Sequence, residues 1–97
     1  MATYVLLASY TDQGIRAVKD TVKRTAAVGE MAKKAGLTMK ESYWTLGQFD
    51  VVAVFEAPDD ESMTALALSV AKLGNAKTQT LRAFSGKEME GILAKMV

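Results

Sequence analysis

The sequence predicts an α+β domain of order β-α-β-β-α-β with one more helix at its C-terminus. This is a ferredoxin-like split arrangement with an antiparallel sheet in strand order 4-1-3-2. Three observations predict it. Four strand-like stretches alternate with two helical ones, so that two β-α-β units fit into 97 residues. The first and third of these strands are apolar on both faces, as central strands are, while the second and fourth are mixed, as edge strands are. Finally, Ser85-Gly86-Lys87-Glu88 has the pattern of a capping box and starts a last amphipathic helix after the fourth strand. The length suits a single domain over residues 1–97.

Taken in order, Thr3–Tyr10 is the first strand, with Val5 and Leu7 on one face and Tyr4, Leu6, Ala8 and Tyr10 on the other. Thr11 or Asp12 caps a helix expected over Gln13–Ala35, whose apolar stripe reads Ile15, Val18, Val22, Ala26 and Gly29. Gly29 in that stripe points to a close approach by the sheet or another helix, and Gly36 marks the helix stop. The second strand, Thr38–Thr45, places Met39, Glu41 and Tyr43 on one side and Lys40, Ser42 and Trp44 on the other. A hairpin at Leu46–Phe49, with Gly47 supplying a positive φ, leads into the third strand, Asp50–Glu56. Pro58 ends that strand, and Asp59 or Asp60 caps a helix whose buried stripe is Met63, Leu66, Ala67, Val70 and Leu73. Lys77–Phe84 forms the fourth strand, and Met89, Ile92, Leu93 and Met96 make one face of the final helix.

Composition excludes much chemistry. There is no Cys and no His, so thiolate nucleophiles, disulfides, iron–sulfur clusters and the usual imidazole base or metal ligand are all ruled out. No cofactor and no metal are expected, and any metal that did bind would be a hard, carboxylate-held ion. Twelve Lys and Arg balance eleven Asp and Glu for a net charge of +1, which gives no strong field toward nucleic acid or an anionic membrane. Six of the twelve basic residues, Arg16, Lys19, Lys23, Arg24, Lys33 and Lys34, fall in the first helical region. Asp20 and Glu30 interrupt them and no aromatic residues interleave, so they read as a solvated helix face. No stretch is long enough to cross a bilayer and no leader pattern is evident, which makes a cytoplasmic location the expectation.

Two helices cover one face of a four-stranded sheet. The other face still carries an apolar set from each central strand, and leaving each such side chain in water forgoes roughly 1.5–3 kcal/mol. A second copy, packed sheet against sheet as a dimeric α+β barrel, is the expected cover. The C-terminal helix is too small to cover that face by itself, although it suits one end of the sheet or a neighbouring copy. Assembly beyond a dimer is left open.

The stretches "TLGQFDVVAVFEAPDD" and "LALSVAKLGNAKTQTLRAFS", with the opening "YVLLASYTDQGIRAVKDT", resemble the GYD domain family, named for a Gly-x-Tyr-Asp hairpin motif. Gly47, Gln48, Phe49 and Asp50 stand at that motif, with Phe49 in place of the tyrosine. The resemblance runs from about Thr3 to Ser85. It implies a dimeric α+β barrel and no particular reaction, and the Phe49 substitution removes any role that needs a phenolic hydroxyl there.

The site candidates follow from residue chemistry. Asp50 is a carboxylate base at a pocket rim or the anchor of its own turn. Glu56, at the end of a central strand, is an acid or base in a cavity or a solvated strand end. Tyr4, Tyr10, Tyr43, Trp44 and Phe49 are aromatic surfaces suited to a ligand pocket or to packing, and Arg82 is an anion holder or an ordinary ion-pair partner. The expected function is a homo-oligomeric small-molecule binding or regulatory module with no chemistry of its own, which calls for a cavity of a few hundred Å3. The alternatives are a cofactor-free isomerase, dehydratase or oxygenase acting through Asp50 or Glu56, and a purely structural assembly subunit.

Overall fold

In the computed structural model, which describes all of residues 1–97, the chain runs β1 (Ala2–Tyr10), α1 (Asp12–Arg16), a 3-10 turn (Val18–Asp20), α2 (Thr21–Lys34), β2 (Thr38–Trp44), β3 (Val51–Ala57), α3 (Asp60–Ala71), β4 (Ala76–Ala83) and α4 (Gly86–Leu93). The strands form one antiparallel sheet in the order β2-β3-β1-β4, with the doubly apolar β1 and β3 in the centre as expected. Paired residues on neighbouring strands share a face, so the register sorts the side chains. One face carries Tyr4, Leu6 and Ala8 beside Phe55, Ala53 and Val51; the other carries Val5 and Leu7 beside Val54 and Val52.

α2 and α3 pack on the first of these faces, α2 over β2 and α3 over β4. Phe55 and Met63, 1% exposed, sit at the centre of the core, with Tyr4, Leu6, Leu37 and Leu66 around them. None of α1 to α3 reaches the second face, and α4 makes no substantial contact with any strand. All of α4 is exposed apart from half-buried Ile92, although its Ser85 capping box forms in full, with Ser85 Oγ accepting from Glu88 N and Glu88 Oε1 from Ser85 N. With α4 standing off the body, the molecule is 50 Å long and its radius of gyration is 14.5 Å. A compact chain of this length has roughly 12–13 Å.

The single helix expected over Gln13–Ala35 is instead broken into α1, the 3-10 turn and α2. Gly14 explains the break: it lies against the loop before β4, where a Cβ would fall 1.9 Å from the Asn75 carbonyl oxygen. α1 is held on that loop by Thr11, whose hydroxyl donates to the Gly74 carbonyl at 2.6 Å, and by Gln13, whose amide donates to the Leu73 carbonyl at 3.0 Å. The chain then turns before helix can resume, and Arg24 satisfies the freed carbonyls of Ala17 (2.7 Å) and Gly14 (3.2 Å). The break shifts the phase of the apolar stripe. Ile15 and Val22 end up exposed, and the inward face of α2 is Thr21, Thr25, Val28 and Ala32. Leu73, expected at the end of the buried stripe of α3, is likewise exposed.

β2 holds a second correction. Its register shifts between Met39, opposite Phe55, and Glu41, opposite Val54. The bulge at Lys40 inserts one residue, so Met39 faces the helices while Glu41 and Tyr43 face the other way. Strict alternation had placed these three together. Gly29 makes room for the turned Met39: a Cβ there would lie 2.9 Å from the Met39 methyl, the close approach its position suggested.

Candidate functional site

Because α2 lies over one edge of the sheet and α3 over the other, a cleft of about 160 Å3 opens between them. Small residues make the space: Ala8 and Ala53 pave the middle of the floor beside Leu6 and Phe55. Val28 and Met31 of α2 and Val70 of α3 form the walls, and Leu73 stands at the lip. The volume is smaller than the few hundred Å3 expected. The polar residues of the lining are Tyr10, Thr21, Arg24, Thr25 and Asn75, and Arg24 is the one charged residue among them.

At the β1 end, three side chains from three elements meet. Tyr10 Oη lies 3.0 Å from Thr21 Oγ1, and Trp44 donates its indole N–H to the same oxygen at 3.1 Å. The structure therefore brings Tyr10 and Trp44, both singled out in the sequence, together at Thr21, which the sequence did not mark. Of the two aromatics, only Tyr10 lines the cleft.

The other candidates lie elsewhere. Asp50 is engaged by the neighbouring strand rather than by its own turn: its carboxylate accepts from Tyr10 N of β1 at 2.9 Å and its N–H donates to Ala8 O of β1 at 2.8 Å. Across the hairpin mouth, Thr45 N donates to Asp50 O at 2.9 Å and the Thr45 hydroxyl to Phe49 O at 2.6 Å. Gly47 holds the tip with φ 101°, a conformation that favours glycine, and Phe49 is half-buried beside it. Glu56 lies on the open face and pairs with Lys40 at 3.1 Å. Six residues of extended chain, about 20 Å, separate it from Asp50, so the two carboxylates do not form one site. Tyr43, also on the open face, donates to Glu41 at 2.7 Å, a bond that raises its pKa.

Arg82 anchors a cluster at the opposite end of the sheet. Its guanidinium lies over the rings of Phe84 (4.5 Å) and Tyr4 (5.6 Å) and 3.7 Å from Glu88. Tyr4 donates its hydroxyl to Asp60, and this bond, with burial and the Asp60 charge, pushes the phenol up to about 12. Asp59 caps α3 by accepting from Ser62 N at 2.8 Å, which holds its carboxyl below the usual range. Bonding to Ser85, together with Arg82, lowers Glu88 in the same way. Sequence reading missed the Tyr4–Asp60 pair; the partners are 56 residues apart, and only the inward parity of Tyr4 hinted at it.

The open face is ordered in rows. Leu81, Val5, Val54 and Glu41 run across the four strands, and Gln79, Leu7, Val52 and Tyr43 form the next row. Apolar side chains fill the centre, and Glu41, Gln79 and the Lys40–Glu56 pair border them.

An open sheet face with an apolar centre and, on the other face, a small cleft suit a binding or regulatory module. The chain matches the GYD domain over residues 4–93 and belongs to that family. A Thermus thermophilus protein named as a glutamine synthetase and cystathionine beta-lyase binding protein is 32% identical to it over 84 residues, covering 86% of this chain and 88% of the relative. Two crystal structures share the fold. FFRP-DM1 has a TM-score of 0.60 and 20% identity, over 87% of this chain and 100% of the other. TTHA0845 from Thermus thermophilus has a TM-score of 0.58 and 24% identity, over 89% of this chain and 96% of the other.

Proposed function

We propose that this protein is a homo-oligomeric docking module that regulates metabolic enzymes by binding them and carries no chemistry of its own. The observation that carries the reading is the relative that shares 32% identity across most of the chain and is named for binding two such enzymes. The geometry supports it. The Asp50 carboxylate is spent on the β1 backbone at Tyr10 and that of Glu56 on Lys40, so neither is poised in a closed pocket. Val5, Leu7, Val52, Val54 and Leu81 form an apolar centre with a polar border, the anatomy of an interface. A second copy, packed face to face about a two-fold axis, buries that centre and closes an α+β barrel. Enzyme docking then falls to surfaces the barrel leaves free, α4 among them, in a cytoplasmic setting. A small molecule in the cleft beneath α2 and α3 sets the strength of docking.

The test is direct. Purified protein is mixed with glutamine synthetase and cystathionine beta-lyase from its own source and followed by calorimetry and sedimentation. A dimeric free protein that binds at least one enzyme with micromolar or better affinity is expected. A dimer that binds neither removes the docking role, and a folded monomer at micromolar concentration removes the barrel.

A further inference from the structure

We propose that the cleft between α2 and α3 binds a small apolar monocarboxylate: one aromatic ring, or a branched alkyl group of similar size, bearing a single carboxylate. The assignment rests on the reading of the protein as a module with a small-molecule ligand, and names that ligand's class and the residues that hold it.

Size sets the apolar part. The cleft holds about 160 Å3 above Leu6, Ala53 and Phe55, between Val28 and Val70. An aliphatic cavity of about 150 Å3 stays dry and takes up a benzene ring. A fused ring system or a long acyl chain exceeds that space.

Charge sets the polar part. Arg24 is the one charged side chain of the lining and has no ion-pair partner. A guanidinium carries five N–H donors. One goes to Ala17 O and one to Gly14 O, and three remain. A planar donor array with unspent hydrogens at the edge of an apolar space suits a carboxylate. No acidic residue lines the cleft, so the ammonium of a free amino acid finds no counter-charge there.

Hydrogen counting adds a further donor. Tyr10 O–H, Thr21 O–H and Trp44 N–H bring three hydrogens to two contacts, Trp44 to Thr21 and Tyr10 with Thr21. Whichever hydroxyl donates between Tyr10 and Thr21, the hydrogen of the other is left over. Both residues line the cleft, so that hydrogen is available to a ligand oxygen.

The probe is phenylacetate, titrated into the full chain and read by methyl NMR, with phenethylamine and benzyl alcohol for comparison. Saturable shifts at the methyls of Val28, Met31, Met39 and Val70 are expected with phenylacetate, and binding at least about tenfold weaker with the cationic amine. Arg24→Gln is expected to weaken phenylacetate about tenfold or more while changing benzyl alcohol by less than about twofold. Because Arg24 also ties down α1, Ala27→Leu serves as a second variant. It fills the cleft from an exposed helix position and is expected to weaken phenylacetate about tenfold with the thermal midpoint unchanged. The proposal is overturned by absence of saturable shifts, by shifts confined to the open sheet face, by equal binding of acid and amine, or by phenylacetate affinity that neither variant lowers. Enzyme docking measured on the same samples separates the two readings. Docking lost with phenylacetate binding intact removes only the docking role, and the converse removes only the cleft assignment.

Discussion

The two faces of this sheet are built from alternate residues of the same two strands, yet they meet different surroundings. On one, Tyr4, Leu6, Ala53 and Phe55 lie beneath α2 and α3 and are at most 5% exposed. On the other, Val5, Leu7, Val52 and Val54 are only half-buried, shielded by one another and by neighbouring strands. Both sets are aliphatic or aromatic, and period-two alternation assigns them equally well. The difference teaches that hydrophobic pattern states a demand for cover without stating who supplies it. The chain meets that demand once, with its own helices, and leaves the second face open.

Four substitutions sharpen or break the contrast, in descending order of effect. Phe55→Ala, in the covered face, is expected to cost about 3–5 kcal/mol, read as a lower urea midpoint. Val54→Asp, on the open face one residue away, is expected to change the stability of the single chain by under about 1 kcal/mol, because no helix covers that face and the carboxylate can reach water. If the proposed dimer forms through this face, Val54→Asp is expected to weaken it by about two orders of magnitude in sedimentation, since a charge buried in the apolar centre costs several kcal/mol. If Val54→Asp instead unfolds the chain as Phe55→Ala does, the two faces are not energetically distinct. Gly14→Ala pushes a methyl into the Asn75 carbonyl and is expected to cost about 1–3 kcal/mol, with the contact between α1 and the loop before β4 lost first in hydrogen exchange. Ser85→Ala removes the cap of α4 and is expected to cost about 1 kcal/mol or less, visible as fraying of α4 by NMR while both sheet faces are unchanged.

A pH scan probes the covered face by another route. The Tyr4 phenol is raised from 10.0 to about 12 by its bond to Asp60. A raised pKa means that the folded state favours the protonated phenol, so the bond's contribution is whole below pH 10 and lost as pH climbs through about 12. The unfolding midpoint is expected to fall across that window in the native protein and to fall less in Tyr4→Phe.

Much of the candidate site was legible only in fragments. Tyr10 and Trp44 stood out as aromatics with a polar tip, but Thr21 resembled any helix-surface threonine, and nothing in its neighbours announced two hydrogen bonds arriving from different strands. Arg24 lay in a run of basic residues that read as a solvated face. It differs from Lys19 and Lys23 because the helix breaks just before it, and the break is caused by Asn75, some sixty residues away. Tyr43, Phe49 and Arg82 were marked for the same chemistry as Tyr10, yet the bulge at Lys40, the hairpin and the far end of β4 carry them away from the cleft.

By itself the sequence determined what depends on near neighbours: strand alternation, the capping box at Ser85, the helix stop at Gly36, the turn at Gly47, and through these the strand order with β1 and β3 inside. Tertiary structure alone decided where the first helix breaks, which way Met39 points, how far α2 and α3 stand apart, and that α4 leaves one sheet face bare. The physical reason is range. Backbone preference and side-chain period act within a few residues, whereas the Asn75 carbonyl, the Met39 methyl and the floor of the cleft act only after distant segments have met.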